Sequence, residues 1–204
     1  MNLRTTSLRY GSVSIGLHWL MLLLLASVYA CIELRVLFPK GSDPREALKT
    51  WHFMLGLSVF MLASLRLLVR FFSGPAPRID PPLPRWQHFL ANAMHFTLYG
   101  LMLGMPIAGW LILSASGKQI PFFGLQLPAL IAENKDFAEW IKEIHETVGA
   151  AGYYLIGIHA TAALFHHYFV RDNTLIRMLP GSNPAQPMAP ADGSTAPLGR
   201  QPRR

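Results

Sequence analysis

Hydrophobic residues are concentrated in four long blocks that are separated by polar segments. The blocks run from 13 to 32, 53 to 69, 96 to 115 and 148 to 169, and Arg66 is the only Arg, Lys, Asp or Glu within them. Each block approaches the roughly 20 apolar residues with which a helix crosses about 30 Å of hydrocarbon, and a helix satisfies its own backbone polar groups there. The pattern predicts an all-α membrane protein, a four-transmembrane-helix bundle with helices at about 13–34, 47–71, 87–115 and 145–170.

Turn-forming residues punctuate the segments between the blocks. Five prolines between 73 and 85 prevent the second helix from continuing. Apolar positions recur at helical spacing from 136 to 145, which predicts an amphipathic stretch at the interface before the last helix. We therefore expect a membrane domain over 1–179 and a disordered, Pro-rich cytoplasmic tail over 180–204. The first block is longer than the about 7–15 residues of a signal-peptide core, so we expect it to be retained as a helix.

Basic residues are distributed unequally between the two sides of the predicted bundle. The side of the termini holds eleven basic and three acidic residues, and the other side holds seven basic and eight acidic residues. Because basic segments stay in the cytoplasm, both termini are expected to be cytoplasmic. The net charge of +7 is thereby explained by membrane topology, and no nucleic-acid partner is expected.

The cysteine content limits the redox centres that the chain can hold. Cys31 is the only cysteine, and no C-x-x-C-H motif occurs. An intrachain disulfide and a cysteine-ligated iron–sulfur cluster are therefore excluded. Any haem is expected to be held by coordination and packing, without covalent attachment.

Four of the eight histidines match in depth as two pairs. His18 and His159 both fall toward the cytoplasmic side, whereas His52 and His145 both fall at the opposite side. His145 and His159 are fourteen residues apart, which places them within roughly 40° of one helix face and about 21 Å apart along the axis. Polar, metal-binding side chains are costly inside a membrane helix, so their presence indicates a functional site.

Two imidazoles from facing helices are a common axial ligand set for b-type haem. The pairs therefore predict two non-covalent haems b. Structural zinc is the rival interpretation, but it prefers four ligands and usually includes cysteine. Gly56, Gly149 and Gly152 lie near the predicted ligands and would leave room for porphyrins. Close packing of helices in lipid explains the same glycines equally well.

Several segments resemble the bacterial cytochrome b561 family. They are GLHWLMLLL, WHFMLGLSVFMLASLRLLVR, WIKEIHETVGAAGYYLIGIHATAALFHHYF and RDNTLIRMLP, and the similarity extends from about residue 8 to 180. The family's haem-ligand histidines fall on His18, His52, His145 and His159. The resemblance implies an inner-membrane protein with two haems b that passes electrons from periplasmic superoxide to ubiquinone.

Cations of the outer segments are candidates for steering such an anionic donor. Lys49 and Lys142 each precede a predicted ligand by three residues, and Lys40 and Arg45 lie in the same outer loop as Lys49. Long-range attraction would raise the association rate and weaken with salt. The alternative is that these side chains only extend to the interface.

Polar residues at the inner ends of the helices are candidates for a quinone site. We expect His95, His166, Arg70 and Trp86 to surround the headgroup, because histidine both hydrogen-bonds carbonyls and transfers protons near neutral pH. The alternative is an ordinary set of interfacial anchors.

Two other functions remain compatible with the sequence. One is a cytochrome b electron-relay subunit of a periplasmic hydrogenase or dehydrogenase. The other is a non-redox haem-binding membrane module. Purification separates these possibilities, since a relay subunit would accompany a large metalloenzyme.

Overall fold

The computed structural model describes residues 9–181 and contains four long helices in that range. They are α1 (Ser12–Leu34), α2 (Asp43–Phe72), α3 (Arg85–Ala115) and α4 (Lys135–Phe165). All four are long and apolar enough to cross a membrane. The predicted all-α, four-helix membrane architecture is therefore confirmed. The expected tail lies almost wholly outside the described residues, which end at 181.

Helices α2 and α4 begin further out than the hydrophobic blocks indicated. The first turn of α2 contains Pro44, Asp43 and Glu46, which suit the fixed backbone angle and the positive dipole of a helix start. Helix α4 begins after Asn134, whose side chain accepts a hydrogen bond from the Phe137 N–H at 3.0 Å. The amphipathic stretch at 136–145 is consequently the outer part of α4, without a break before the membrane span.

Helices that follow each other in the chain pack against each other, α1 with α2, α2 with α3 and α3 with α4. The central cluster consists of Met21, Val59, Ala63 and Met102 from the first three helices. Large apolar side chains cover the outside, and Phe96 is 82% exposed. Exposed apolar surface of this extent is what a helix presents to lipid.

We call the end of the bundle that lies away from residues 9 and 181 the outer end, and the opposite end the inner end. The outer end carries a short β-hairpin between α3 and α4. Strand β1 (Pro121–Phe122) pairs antiparallel with β2 (Leu125–Gln126). Phe123 at the turn lies 6.1 Å, ring centre to ring centre, from Trp51 near the outer end of α2. The hairpin thereby contacts the outer end of α2 at Trp51, the residue before His52.

At the inner end, the chain after α4 folds back under the bundle. A π-helical turn (His166–Val170) leads into Arg171, which has a left-handed backbone conformation. The Trp19 indole N–H then donates to the Met178 carbonyl at 2.8 Å, and Arg177 donates to the Pro77 carbonyl. Residues after α4 thus connect α1 with the segment between α2 and α3.

Candidate functional site

The outer histidine pair joins α2 to α4. The rings of His52 and His145 lie 6.4 Å apart, centre to centre, at an angle of 76°. His52 Nδ1 lies 2.9 Å from the Val28 carbonyl oxygen. Because a carbonyl only accepts, Nδ1 carries the proton, and Nε2 keeps its lone pair for a metal. A hydrogen bond of this kind orients a ligating imidazole.

His145 meets α3 on its other side. The ring is partly buried, and the Met105 backbone of α3 lies beside it. A Cβ on Gly109 would lie 3.7 Å from His145 Cε1, in ordinary van der Waals contact. Residue 109 of α3 therefore lies close to this ring, a contact that sequence spacing did not indicate.

The inner histidine pair joins α1 to α4. The rings of His18 and His159 lie 6.3 Å apart at an angle of 71°. The ring centre of His95 lies 5.6 Å from that of His159. On the other side of the pair, a guanidinium nitrogen of Arg66 lies 3.2 Å from His18 Nδ1. The inner pair is thus bordered by a third imidazole and by a cation.

A tyrosine occupies the space between the two pairs. The Tyr29 hydroxyl donates to the Gly149 carbonyl at 2.9 Å, and a Cβ on Gly152 would overlap with this hydroxyl. The immediate neighbour of Gly152 is therefore Tyr29. A Cβ on Gly56 would have no other atom within 4 Å, whereas a Cβ on Gly149 would contact the Met105 side chain at 3.4 Å.

The separation of the rings in each pair fits an iron porphyrin. A metal-bound imidazole nitrogen lies about 2.0–2.1 Å from the ion. With about 1.1 Å from that nitrogen to its ring centre, two rings on opposite sides of one ion are about 6.2–6.4 Å apart. The observed separations are 6.3 and 6.4 Å. The two imidazoles of each pair would thus hold one haem iron.

The donor set is less suited to zinc. Among residues 9–181, no three His, Cys, Asp or Glu side chains are placed to hold one metal ion. Structural zinc needs four protein ligands, and catalytic zinc usually takes three. Each histidine pair provides only two of the donors that a metal ion needs, so another group must supply the rest.

Two of the predicted steering cations make local ion pairs. Lys49 contacts Glu46 at 2.6 Å, and Lys142 contacts Glu146 at 3.7 Å. Both pairs are substantially exposed, so each contributes little stability and its charge is partly compensated. These partners lie three and four residues away on the same helix, so helical spacing alone could have indicated them.

The remaining two outer cations differ in their surroundings. Arg45 donates from one nitrogen to the Arg35 carbonyl at 3.1 Å and to the Phe38 carbonyl at 2.9 Å. It thereby closes the loop between α1 and α2. Lys40 is an exposed residue of that loop.

The four predicted quinone residues do not share one set of contacts. His95 lies against His159, and His166 Nδ1 is 2.6 Å from the buried Asp172 carboxylate. Arg70 donates to the Gly74 carbonyl at 2.7 Å. The Trp86 side chain is 62% exposed at the start of α3.

A cleft lies beside the inner histidine pair. Its lining consists of Ser14, Leu17, Arg66, Val69, Arg70, Tyr99 and Met178. Of the predicted quinone residues, Arg70 belongs to this lining. Arg66 was not among the predicted site residues, although its position as the one charge inside a hydrophobic block was a signal for it.

Comparison with known proteins identifies the family of this chain. The family model of prokaryotic cytochrome b561 matches residues 9–181. Cytochrome b561 homolog 1 of Escherichia coli (strain K12) is 42% identical over 173 residues, which are 84% of this chain and 97% of that protein. The probable superoxide oxidase CybB of Yersinia pestis is 37% identical, over 84% of this chain and 96% of that protein. Cytochrome b561 homolog 2 of Escherichia coli (strain K12) is 30% identical, over 88% of this chain and 95% of that protein. The chain therefore belongs to the prokaryotic cytochrome b561 family of multi-pass membrane proteins that bind b-type haem.

Proposed function

We propose that this protein is a di-haem b-type cytochrome that oxidises superoxide and reduces ubiquinone. His52 and His145 would hold the outer haem, and His18 and His159 the inner haem. The observation that carries the proposal is the presence of two imidazole pairs with ring separations of 6.3 and 6.4 Å. The choice of donor is supported by the 37% identity to a protein named as a probable superoxide oxidase.

Helix α4 supplies one ligand to each level and therefore sets the distance between them. Fourteen residues separate its two histidines, which corresponds to about 21 Å along the helix axis. Haem b, when bound, supplies reversible one-electron transfer. Two such centres would connect the outer and inner surfaces of the membrane.

His52 and His145 would both serve to hold the outer haem, which would supply one-electron transfer when bound. Transfer of an electron from superoxide forms no bond to the protein, which explains why no catalytic triad is needed. Two superoxide anions lose one electron each and leave as O₂. One ubiquinone takes up these two electrons and two protons and becomes ubiquinol, so the inner site must supply protons.

The orientation follows from the charges on the two sides. With both termini in the cytoplasm of a bacterial cell, His52 and His145 face the periplasm, where Lys40, Arg45, Lys49 and Lys142 would attract superoxide. The quinone would bind at the cytoplasmic side, near His95, His166, Arg70 and Trp86. Arg70 is the member of that group that also lines the cleft beside His18.

The test is to mix the purified protein with superoxide under anaerobic conditions and follow the haem absorption. We expect two haems per chain, rapid reduction by superoxide, and reoxidation when a ubiquinone analogue is added. Superoxide dismutase is the control, since it should abolish reduction. A protein that superoxide does not reduce, and that copurifies with a large metalloenzyme, would instead be an electron-relay subunit.

A further inference from the structure

Arg66 is a charged residue within the second membrane-spanning helix, and it faces the inner histidine pair. Its guanidinium lies 3.2 Å from His18 Nδ1 and 6.0 Å from the centre of the Tyr99 ring. The residue is partly buried and lines the cleft beside His18. A charge at this depth is costly unless it has a partner.

Within residues 9–181, no carboxylate forms an ion pair with this cation. The ion pairs found between residues 9 and 181 use the carboxylates of Glu46, Glu146 and Asp172, and Arg66 takes part in none of them. The Tyr99 ring offers only the weaker attraction of a cation for an aromatic face. A partly buried guanidinium without a carboxylate therefore indicates a ligand that carries negative charge.

The contact with His18 leads to the same conclusion. A guanidinium has only donors. If His18 binds iron through Nε2, as the hydrogen bond of His52 arranges for the outer pair, its Nδ1 also carries a proton. Two donors would then face each other at 3.2 Å. An acceptor between or beside them resolves the conflict, and an anion satisfies both donors best.

We infer that Arg66 forms an anion site in the cleft beside His18 and that the anion is a propionate carboxylate of the haem held by His18 and His159. This inference rests on the proposed function, because it requires a haem at the inner pair. The lining residues Arg70 and Ser14 add a second cation and a hydroxyl to the same site. A lipid phosphate has the same chemistry and is the competing source of the anion.

The test combines substitutions of Arg66 with a chemical modification of the haem carboxylates. Full-length wild type, Arg66→Gln and Arg66→Lys are expressed in haem-deficient cells, and their membranes are titrated with protohaem or with its dimethyl ester, which lacks the carboxylate charges. Arg85→Gln is the matched control, because Arg85 is an exposed arginine at the inner end of α3. The readouts are the haem affinity of each site from the absorption spectrum and the midpoint potential of each haem.

We expect Arg66→Gln to weaken protohaem binding at one site roughly tenfold to a hundredfold, as expected for a lost charge-assisted hydrogen bond. Esterification should weaken binding to wild type by a similar factor and should add little in Arg66→Gln. Arg66→Lys should retain part of the affinity. The other haem should bind normally in every variant, which shows that the bundle has formed.

Three outcomes would overturn the inference. The first is unchanged protohaem affinity and potential in Arg66→Gln. The second is full additivity of the Arg66→Gln and ester effects, which would mean that Arg66 acts on the His18 imidazole. The third is an Arg66→Gln effect that occurs only in bilayers with anionic lipid and not in neutral lipid, which would identify a lipid phosphate. A chain that binds no haem at the inner pair even as wild type would refute the proposed ligands instead.

Discussion

The contact of Tyr29 with Gly152 gives a quantitative prediction about the packing of α1 on α4. A Cβ on residue 152 would overlap with the Tyr29 hydroxyl and would lie 3.3 Å from Leu101 Cδ2. In Gly152→Ala, the phenol must move and lose its hydrogen bond to the Gly149 carbonyl. Overpacking costs about 1–3 kcal/mol, and the lost hydrogen bond costs about 1 kcal/mol.

Alanine offsets part of this cost because it is a better helix former than glycine, by about 1 kcal/mol. The net destabilisation of Gly152→Ala is therefore about 1–3 kcal/mol. For a chain of this size, such a loss lowers the unfolding temperature by roughly 2–12 °C. The assay is thermal unfolding of the purified protein in detergent, followed by tryptophan fluorescence and by haem absorption.

Two further variants make the reasoning specific. Gly157→Ala, on the same helix but with no atom within 4 Å of the added Cβ, should unfold at or slightly above the wild-type temperature. Tyr29→Phe removes the overlapping oxygen, so Gly152→Ala should cost much less in that background. The explanation is refuted if Gly152→Ala is as stable as Gly157→Ala, or if removal of the hydroxyl does not rescue it.

Three other predictions follow from the site and its surroundings. His159→Ala should lose one haem and retain the other in the absorption spectrum, because His159 belongs to the inner pair only. Retention of both haems would contradict the ligand assignment. Lys49→Glu combined with Lys142→Glu should slow reduction by superoxide and weaken or reverse its dependence on salt; an unchanged rate and salt dependence would mean that these lysines do not steer the anion. Asp172→Ala should destabilise the segment after α4 by about 1–3 kcal/mol, because it removes the buried acceptor that contacts His166 Nδ1 and the Thr174 N–H; limited proteolysis checks this, and unaltered cleavage would show that the pair does not hold the segment.

Much of the fold could be predicted from the sequence because the controlling forces act on neighbouring residues. A helix in lipid satisfies its hydrogen bonds within one segment, so hydrophobic length alone indicated four crossings. The fourteen-residue spacing of His145 and His159 placed both on one face of one helix for the same local reason. The structure brings each of them to the partner that matched in depth, with His52 and His18 opposite.

The contacts between helices required the tertiary structure. Tyr29 meets Gly149 and Gly152 across more than one hundred residues of chain, and its approach depends on how α1 is rotated against α4. The same holds for Arg66 beside His18 and for the Val28 carbonyl that fixes the proton on His52. Periodicity defines which residues share a face of one helix, but the rotation and depth of each helix relative to its neighbours arise only from packing. The sequence by itself therefore determined the helices and the spacing of the histidines, and the packed bundle decided which side chains border those histidines.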